Sequence, residues 1–257
     1  MSSRHPEITG SDRQIKHELR RRTRRDFLVG GIVTVAGVAG YKWITKAKQE
    51  NGVPWPQRRV LDWNGRIARA YLSDSHLMPT YSPDKVEWLK PNGAYGLQDP
   101  IDAGNWKLHV SSDQAPQLSL ALSLSDIQSL PKVELITRFC CIEGWSTIVH
   151  WGGIRFADFT RKFFPPGAPL TRYVYLSTPD EEYYVGLDTK SAMHPQTLLA
   201  YEHNGSPLTN EHGAPLRLVI PVKYGIKNIK RIGAIQYTNT QPSDYWAEEG
   251  YDWFAGL

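Results

Sequence analysis

Cysteine is nearly absent from this chain: 257 residues hold two, Cys140 and Cys141, side by side. A disulfide framework needs separated pairs, so none is encoded. Joining the two neighbours would strain a bond with demanding geometry. No CxxC and no CxxCH occurs, which argues against structural zinc, iron–sulfur clusters and covalently attached haem. Positive charge is missing where a nucleic acid would need it. Residues 1–48 hold 11 of the 30 Lys and Arg and 4 of the 26 Asp and Glu, leaving 19 basic against 22 acidic groups beyond them. The net charge of +4 therefore sits in the leader, and no nucleic-acid partner is expected. Internal repeats and low-complexity tracts are absent as well.

What is present begins with an address. Residues 13–25 are strongly basic and lead through Thr23-Arg24-Arg25-Asp26-Phe27-Leu28 into an apolar run that ends near Gly40. Paired arginines, a polar residue and Phe-Leu resemble a twin-arginine signal. The other reading is a membrane helix with positive flanks, although the run is shorter than the ~20 residues a span requires. No clear A-x-A cleavage site follows, so residues 1–48 either leave as a signal or stay as a membrane tether. The expected location is periplasmic or otherwise extracytoplasmic. Twin-arginine export moves folded proteins, which favours a redox cofactor inserted before export.

Residues 49–75 read as an exposed connector with Asn51-Gly52, Pro54 and Pro56, and residues 76–257 as one domain. Nine Trp and eighteen Pro favour a loop-rich, strand-rich fold. Trp106–Val110 and Leu118–Leu122 alternate apolar and polar residues as half-buried strands do. Ser125-Asp126-Ile127 before Leu130-Pro131 reads as a short capped helix. Residues 132–141 read as a strand running into the cysteines. Residues 154–164 have helical spacing, with Phe156, Phe159 and Phe163 on one side and Pro165-Pro166-Gly167 as the stop. Tyr173–Leu176, Tyr183–Val185, Leu216–Ile220 and Ile232–Tyr237 read as further strands. The pattern predicts an α+β domain of mixed or antiparallel sheets with short helices.

The chemistry centres on Arg138-Phe139-Cys140-Cys141-Ile142-Glu143-Gly144-Trp145-Ser146. A thiolate in a glycine turn suits a thiophilic metal or a nucleophile. Composition alone leaves a second reading open, in which both cysteines are small buried hydrophobes.

Resemblance weighs for the metal. Cys141-Ile142-Glu143-Gly144-Trp145-Ser146, with Trp151 and Gly153 after it, resembles the cysteine motif of the sulfite-oxidase-type molybdopterin domain. Within that superfamily the likeness is to catalytic subunits of periplasmic protein-methionine-sulfoxide reductases. Tyr173–Thr178, Met193–Tyr201, Asn204–Leu208, His212-Gly213-Ala214-Pro215-Leu216-Arg217 and Lys223–Lys230 look like further family signatures. The resemblance covers about residues 85–250.

It implies a sulfite-oxidase-type molybdopterin-binding fold, a molybdenum–molybdopterin cofactor, and Cys141 as metal ligand and catalytic residue. It also implies pterin contacts from Asn92, Tyr95, Gly96, Thr178, His212, Arg217, Asn228, Ile229 and Lys230. These residue types suit such contacts, since Arg217 can grip a phosphate through its planar fork and Lys230 can add a point charge. Gly213 and Gly225 permit close backbone approach. The chain departs from the pattern at His212, where the reductases have Asn, and at His150, where they have Pro. Cys140 replaces a residue that is not a ligand.

The implied reaction is oxygen-atom transfer on a sulfoxide or related sulfur compound, small or protein-bound. With no haem or cluster motif in the chain, electrons come from a separate membrane haem subunit or soluble cytochrome. Two rivals stand beside this reading: a sulfite dehydrogenase-like oxidase, and a membrane-tethered binding domain without metal.

Overall fold

The computed structural model describes residues 10–99 and 101–257. They fall into two compact units, one formed by the described part of residues 1–50 with 54–57, the other by residues 51–53 with 58–257. The first unit is dominated by α1 (Gly10–Lys46). Phe27–Lys46 gives 20 residues of mean hydropathy 1.5, long and apolar enough by length and composition to cross a membrane. The run read from sequence ends at Gly40; the helix carries on past Lys42 and gains Tyr41, Trp43 and Ile44, which corrects the shorter reading. Residues 1–9 of the leader, and the side chains of the Arg24-Arg25 pair, lie outside the described residues.

The stretch read as a connector contains a second helix, α2 (Trp55–Tyr71). Pro56 falls in its first turn, where a missing N–H breaks no helical bond. Arg58 and Gly65, seven apart, are its buried residues, and Leu72 just past its end is buried as well.

The second unit continues through β1 (Leu108–Ser112), β2 (Ser119–Leu122), α3 (Leu124–Gln128), β3 (Val133–Cys140), β4 (Ser146–Arg155) and α4 (Phe156–Phe163). Then come β5 (Tyr173–Ser177), β6 (Tyr184–Asp188), α5 (Thr189–Ala192), β7 (Leu198–His203), β8 (Ser206–Pro207), β9 (Arg217–Val219), β10 (Ala234–Thr238) and α6 (Tyr245–Glu248). One sheet has the order β2-β1-β10-β5-β6, and the other β8-β7-β4-β3 with β9 also pairing β7. β1 and β10 run parallel; the other neighbours are antiparallel. The α+β class with mixed sheets and short helices is as the pattern predicts.

Along β1, buried Leu108, Val110 and Ser112 alternate with exposed His109 and Ser111, so one face enters the core. α3 is capped by Ser123, not Ser125: Ser123 and Asp126 form a reciprocal capping box. α4 starts at Phe156, because Ile154 and Arg155 still pair with Leu199 and Leu198 of β7. Phe156 and Phe159 then pack fully inside, beside Tyr237 of β10. The other core, around Val149, Trp151, Leu198, Ala200 and Val219, lies where β4, β7 and β9 meet.

Candidate functional site

β3 and β4 form a hairpin whose last pair is Cys140 and Ser146. Residues 141–145 make the turn. The Cys141 N–H donates to the Trp145 carbonyl at 2.9 Å, and the Gly144 N–H to the Cys141 carbonyl at 3.1 Å. Gly144 has φ +89°, a left-handed conformation that a side chain would resist. This turn brings Cys141, 8% exposed, to the wall of a cavity of about 160 Å³. The Asn92 amide donates to the Cys141 sulfur at 3.6 Å and to the Glu143 carboxylate at 3.3 Å. Trp145 Nε1 donates to the same carboxylate at 2.8 Å. Burial pushes the Cys141 thiol above its ordinary pKa.

The same cavity is also lined by cations. Arg217, at the start of β9, is 2% exposed. Its guanidinium donates to the carbonyls of His212 at 3.1 Å and Asn228 at 3.2 Å and lies over the Trp151 ring at 4.8 Å. Lys230 Nζ donates to the carbonyls of Asn92 and Glu211, both at 2.7 Å, and of Gly93 at 3.2 Å. His212 meets His203 edge to face at 4.5 Å, and the buried His203 Nδ1 has no hydrogen-bond partner among the described residues.

Neither Arg217 nor Lys230 joins a salt bridge among the described residues. Burial lowers the Arg217 pKa to about 10. Burial, then the neighbouring Arg217 charge, brings Lys230 to about 8. His212 falls to about 4 through burial and the proximity of His203, Arg217 and Lys230. A buried cation such as Arg217, without a carboxylate partner, carries a large desolvation cost, and a bound anion offsets it. A cavity lined by a thiol and by two cations that join no salt bridge among the described residues fits an anionic organic group that also carries a thiophilic metal.

Of the residues named from sequence, Asn92, Tyr95, Cys141, His212, Arg217, Asn228 and Lys230 line this one cavity. Gly96, Thr178 and Ile229 do not. Thr178 instead holds its own turn, donating from its hydroxyl to Asp180 at 2.5 Å. Gly96, at φ +71°, lies so near it that a Cβ would come 2.3 Å from the Thr178 methyl. That pair fixes one end of the 92–96 loop rather than facing the cavity. Ile229 is fully buried in the main core. The Asn228 side chain is also committed to the fold, accepting from the Ile220 N–H at 2.8 Å and donating to the Tyr224 carbonyl at 3.1 Å. His150 lies 3.5 Å from Glu134 on the hairpin, and neither it nor Cys140 lines the cavity.

Sequence reasoning missed the aromatic rim formed by Tyr183, Trp246 and Tyr251. Tyr95 packs against Tyr245 at 5.0 Å and Trp246 at 6.3 Å, joining the early loop to α6. The buried Lys227–Asp244 ion pair fixes this rim, because Asp244 also caps α6 through the Ala247 N–H at 3.1 Å.

A thiol and an anion-accepting wall in an α+β fold define the class as a cofactor-binding redox enzyme. Residues 95–246 match the oxidoreductase molybdopterin binding domain, and the chain belongs to that family. It is a molybdopterin-dependent oxidoreductase of the sulfite-oxidase-type fold. A protein of Azospira oryzae bearing the name protein-methionine-sulfoxide reductase subunit YedZ1 is 32% identical over 237 residues, 91% of this chain and 86% of that protein. The protein-methionine-sulfoxide reductase catalytic subunit MsrP of Campylobacter jejuni is 35% identical over 208 residues, 72% of this chain and 68% of its own length. The crystal structure of the sulfane dehydrogenase SoxCD from Paracoccus pantotrophus shares the fold, with a TM-score of 0.50 and 15% identity over 56% of this chain and 40% of that one.

Proposed function

We propose that the protein reduces sulfoxides, with methionine sulfoxide as the substrate class, outside the cytoplasm, using electrons from a separate haem protein. The observation that carries the reading is that the Cys141 thiol and the cations Arg217 and Lys230 line one cavity. The names of the relatives from Azospira and Campylobacter support the substrate.

The bound molybdenum–pterin group supplies two-electron oxygen-atom transfer. Cys141 would give the protein's thiolate to the metal. Asn92 donates to that sulfur and sets its orientation. Arg217 and Lys230 would hold an anionic group of the pterin by charge, with His212 beside them. Lys230 also ties the 92–93 loop to Glu211, closing the cavity edge. Tyr95, Trp246 and Tyr251 bound its mouth and offer aromatic faces to a thioether methyl. Reduction of R2SO takes two electrons and two protons and yields R2S and water. The chain has no haem motif, so the electrons arrive from a membrane haem subunit or soluble cytochrome. The twin-arginine-like leader supports export of the folded, loaded enzyme, and the apolar α1 supports a signal or tether.

The test is turnover with reduced viologen as electron donor and free or protein-bound methionine sulfoxide as acceptor. Consumption of the donor with release of methionine is expected. Sulfite oxidation in place of sulfoxide reduction would reverse the assigned direction.

A further inference from the structure

Helix α2 has two unlike faces. Arg58, Gly65 and Ala68 turn toward the domain: Arg58 donates to the Ala247 and Tyr251 carbonyls, both at 2.9 Å, and to that of Asn51. At 100° per residue, Val60, Trp63, Ile67 and Tyr71 fall on the opposite side. They are 57%, 58%, 50% and 64% exposed. Arg59 and Arg66, both exposed, border this stripe. Soluble surfaces seldom leave two aromatic and two β-branched side chains in one contiguous row.

What covers the row is indicated by its neighbour in sequence. The 20-residue apolar segment Phe27–Lys46 is long enough to cross a bilayer, and only residues 47–54 separate it from α2. Its last turns expose Tyr41 and Trp43. Trp and Tyr concentrate at membrane–water boundaries, and an apolar helix face bordered by arginine suits the headgroup region of anionic lipid.

We infer that the Val60-Trp63-Ile67-Tyr71 face of α2 lies in the headgroup layer of an anionic bilayer. Through Arg58, α2 is bonded to the 247–251 segment that borders the cavity, so lipid contact on α2 is passed directly to that border. The inference is independent of which sulfur compound the cavity reduces, and its test uses no turnover.

The full chain would be placed in nanodiscs of phosphatidylcholine with one part in four phosphatidylglycerol. Some discs would carry lipids brominated near the glycerol. The difference in emission between the native chain and Trp63→Phe isolates Trp63. The expected result is blue-shifted Trp63 emission, quenched by about half by the brominated lipid and shielded from aqueous iodide. Val60→Ser with Ile67→Ser, both exposed and harmless to folding, should lower that quenching at least about twofold. Trp63 emission that is red, open to iodide and untouched by bromolipid would overturn the inference. Shielding that appears only on adding a membrane haem subunit, or only as protein concentration rises, would also overturn it by making the occupant a protein.

Discussion

The Asn92 amide stands 3.6 Å from the Cys141 sulfur although 49 residues separate them. The contact exists because two loops are pinned independently. Lys230 holds the carbonyls of Asn92 and Gly93, and the 141–145 turn closes on its own backbone bonds. The sulfur is therefore oriented before any metal arrives.

Neighbouring cysteines should then behave differently. Cys141→Ser is expected to abolish turnover with little change in melting temperature, since a serine fits the same turn. Cys140→Ser should retain most activity, because Cys140 lies in the strand and off the cavity wall. Viologen-linked turnover and thermal melts of the two variants check this; full activity in Cys141→Ser rejects the ligand assignment.

Arg217 is expected to act through the shape of its guanidinium. Arg217→Lys keeps the charge but cannot reach the carbonyls of His212 and Asn228 together. Pterin content per chain, measured by fluorescence of the released and oxidised cofactor, should fall about tenfold. Unchanged loading would show that charge alone suffices.

The pH dependence of the cofactor-free protein should carry the mark of His212. Its folded pKa of about 4 lies below the ordinary 6.5, so between those values the unfolded chain binds more protons. Stability should hold above pH 6.5 and drop as pH falls toward 4, by up to about 3 kcal/mol from this group. Denaturant melts of the native chain and His212→Asn would measure it; the variant should lose much of the slope. A bound phosphate favours charged His212, so the loaded protein should show a smaller drop.

The aromatic rim depends on an ion pair it does not touch. Lys227 and Asp244 are both buried, and Lys227→Met leaves the carboxylate without its cation. A loss of about 3–5 kcal/mol is expected, lowering the melting temperature by about 10 °C. Lys227→Met combined with Asp244→Asn removes both charges, keeps the α6 cap acceptor and should cost less. Differential scanning calorimetry separates the two.

Much of this is legible in sequence because strands with one wet face announce themselves. β1 alternates cleanly, and Cys141 sits in a five-residue turn that its glycine makes recognisable. β4 and β7 are not legible, because Trp151–Ile154 and Leu198–Tyr201 are buried without a break and no alternation marks them. Ser125 reads as a helix cap, yet it lies inside the helix that Ser123 caps. The rim of Tyr183, Trp246 and Tyr251 escapes sequence reasoning, since distant segments supply it. Thr178 and Gly96 match family positions, yet they spend their geometry on each other. The exposed row on α2 is hidden by Pro54 and Pro56, which look like connector residues until one falls in a first turn.

The export reading has its own check. Arg24→Lys with Arg25→Lys should leave the folded protein in the cytoplasm, as cell fractionation would show; normal export of that variant excludes the twin-arginine route.

The sulfur environment of the metal is the most direct measure of the account. Molybdenum K-edge absorption on natively matured protein should show about one metal per chain, with one sulfur neighbour more than in Cys141→Ser. An equal number of sulfur neighbours in the two proteins would contradict the claim that Cys141 binds the metal.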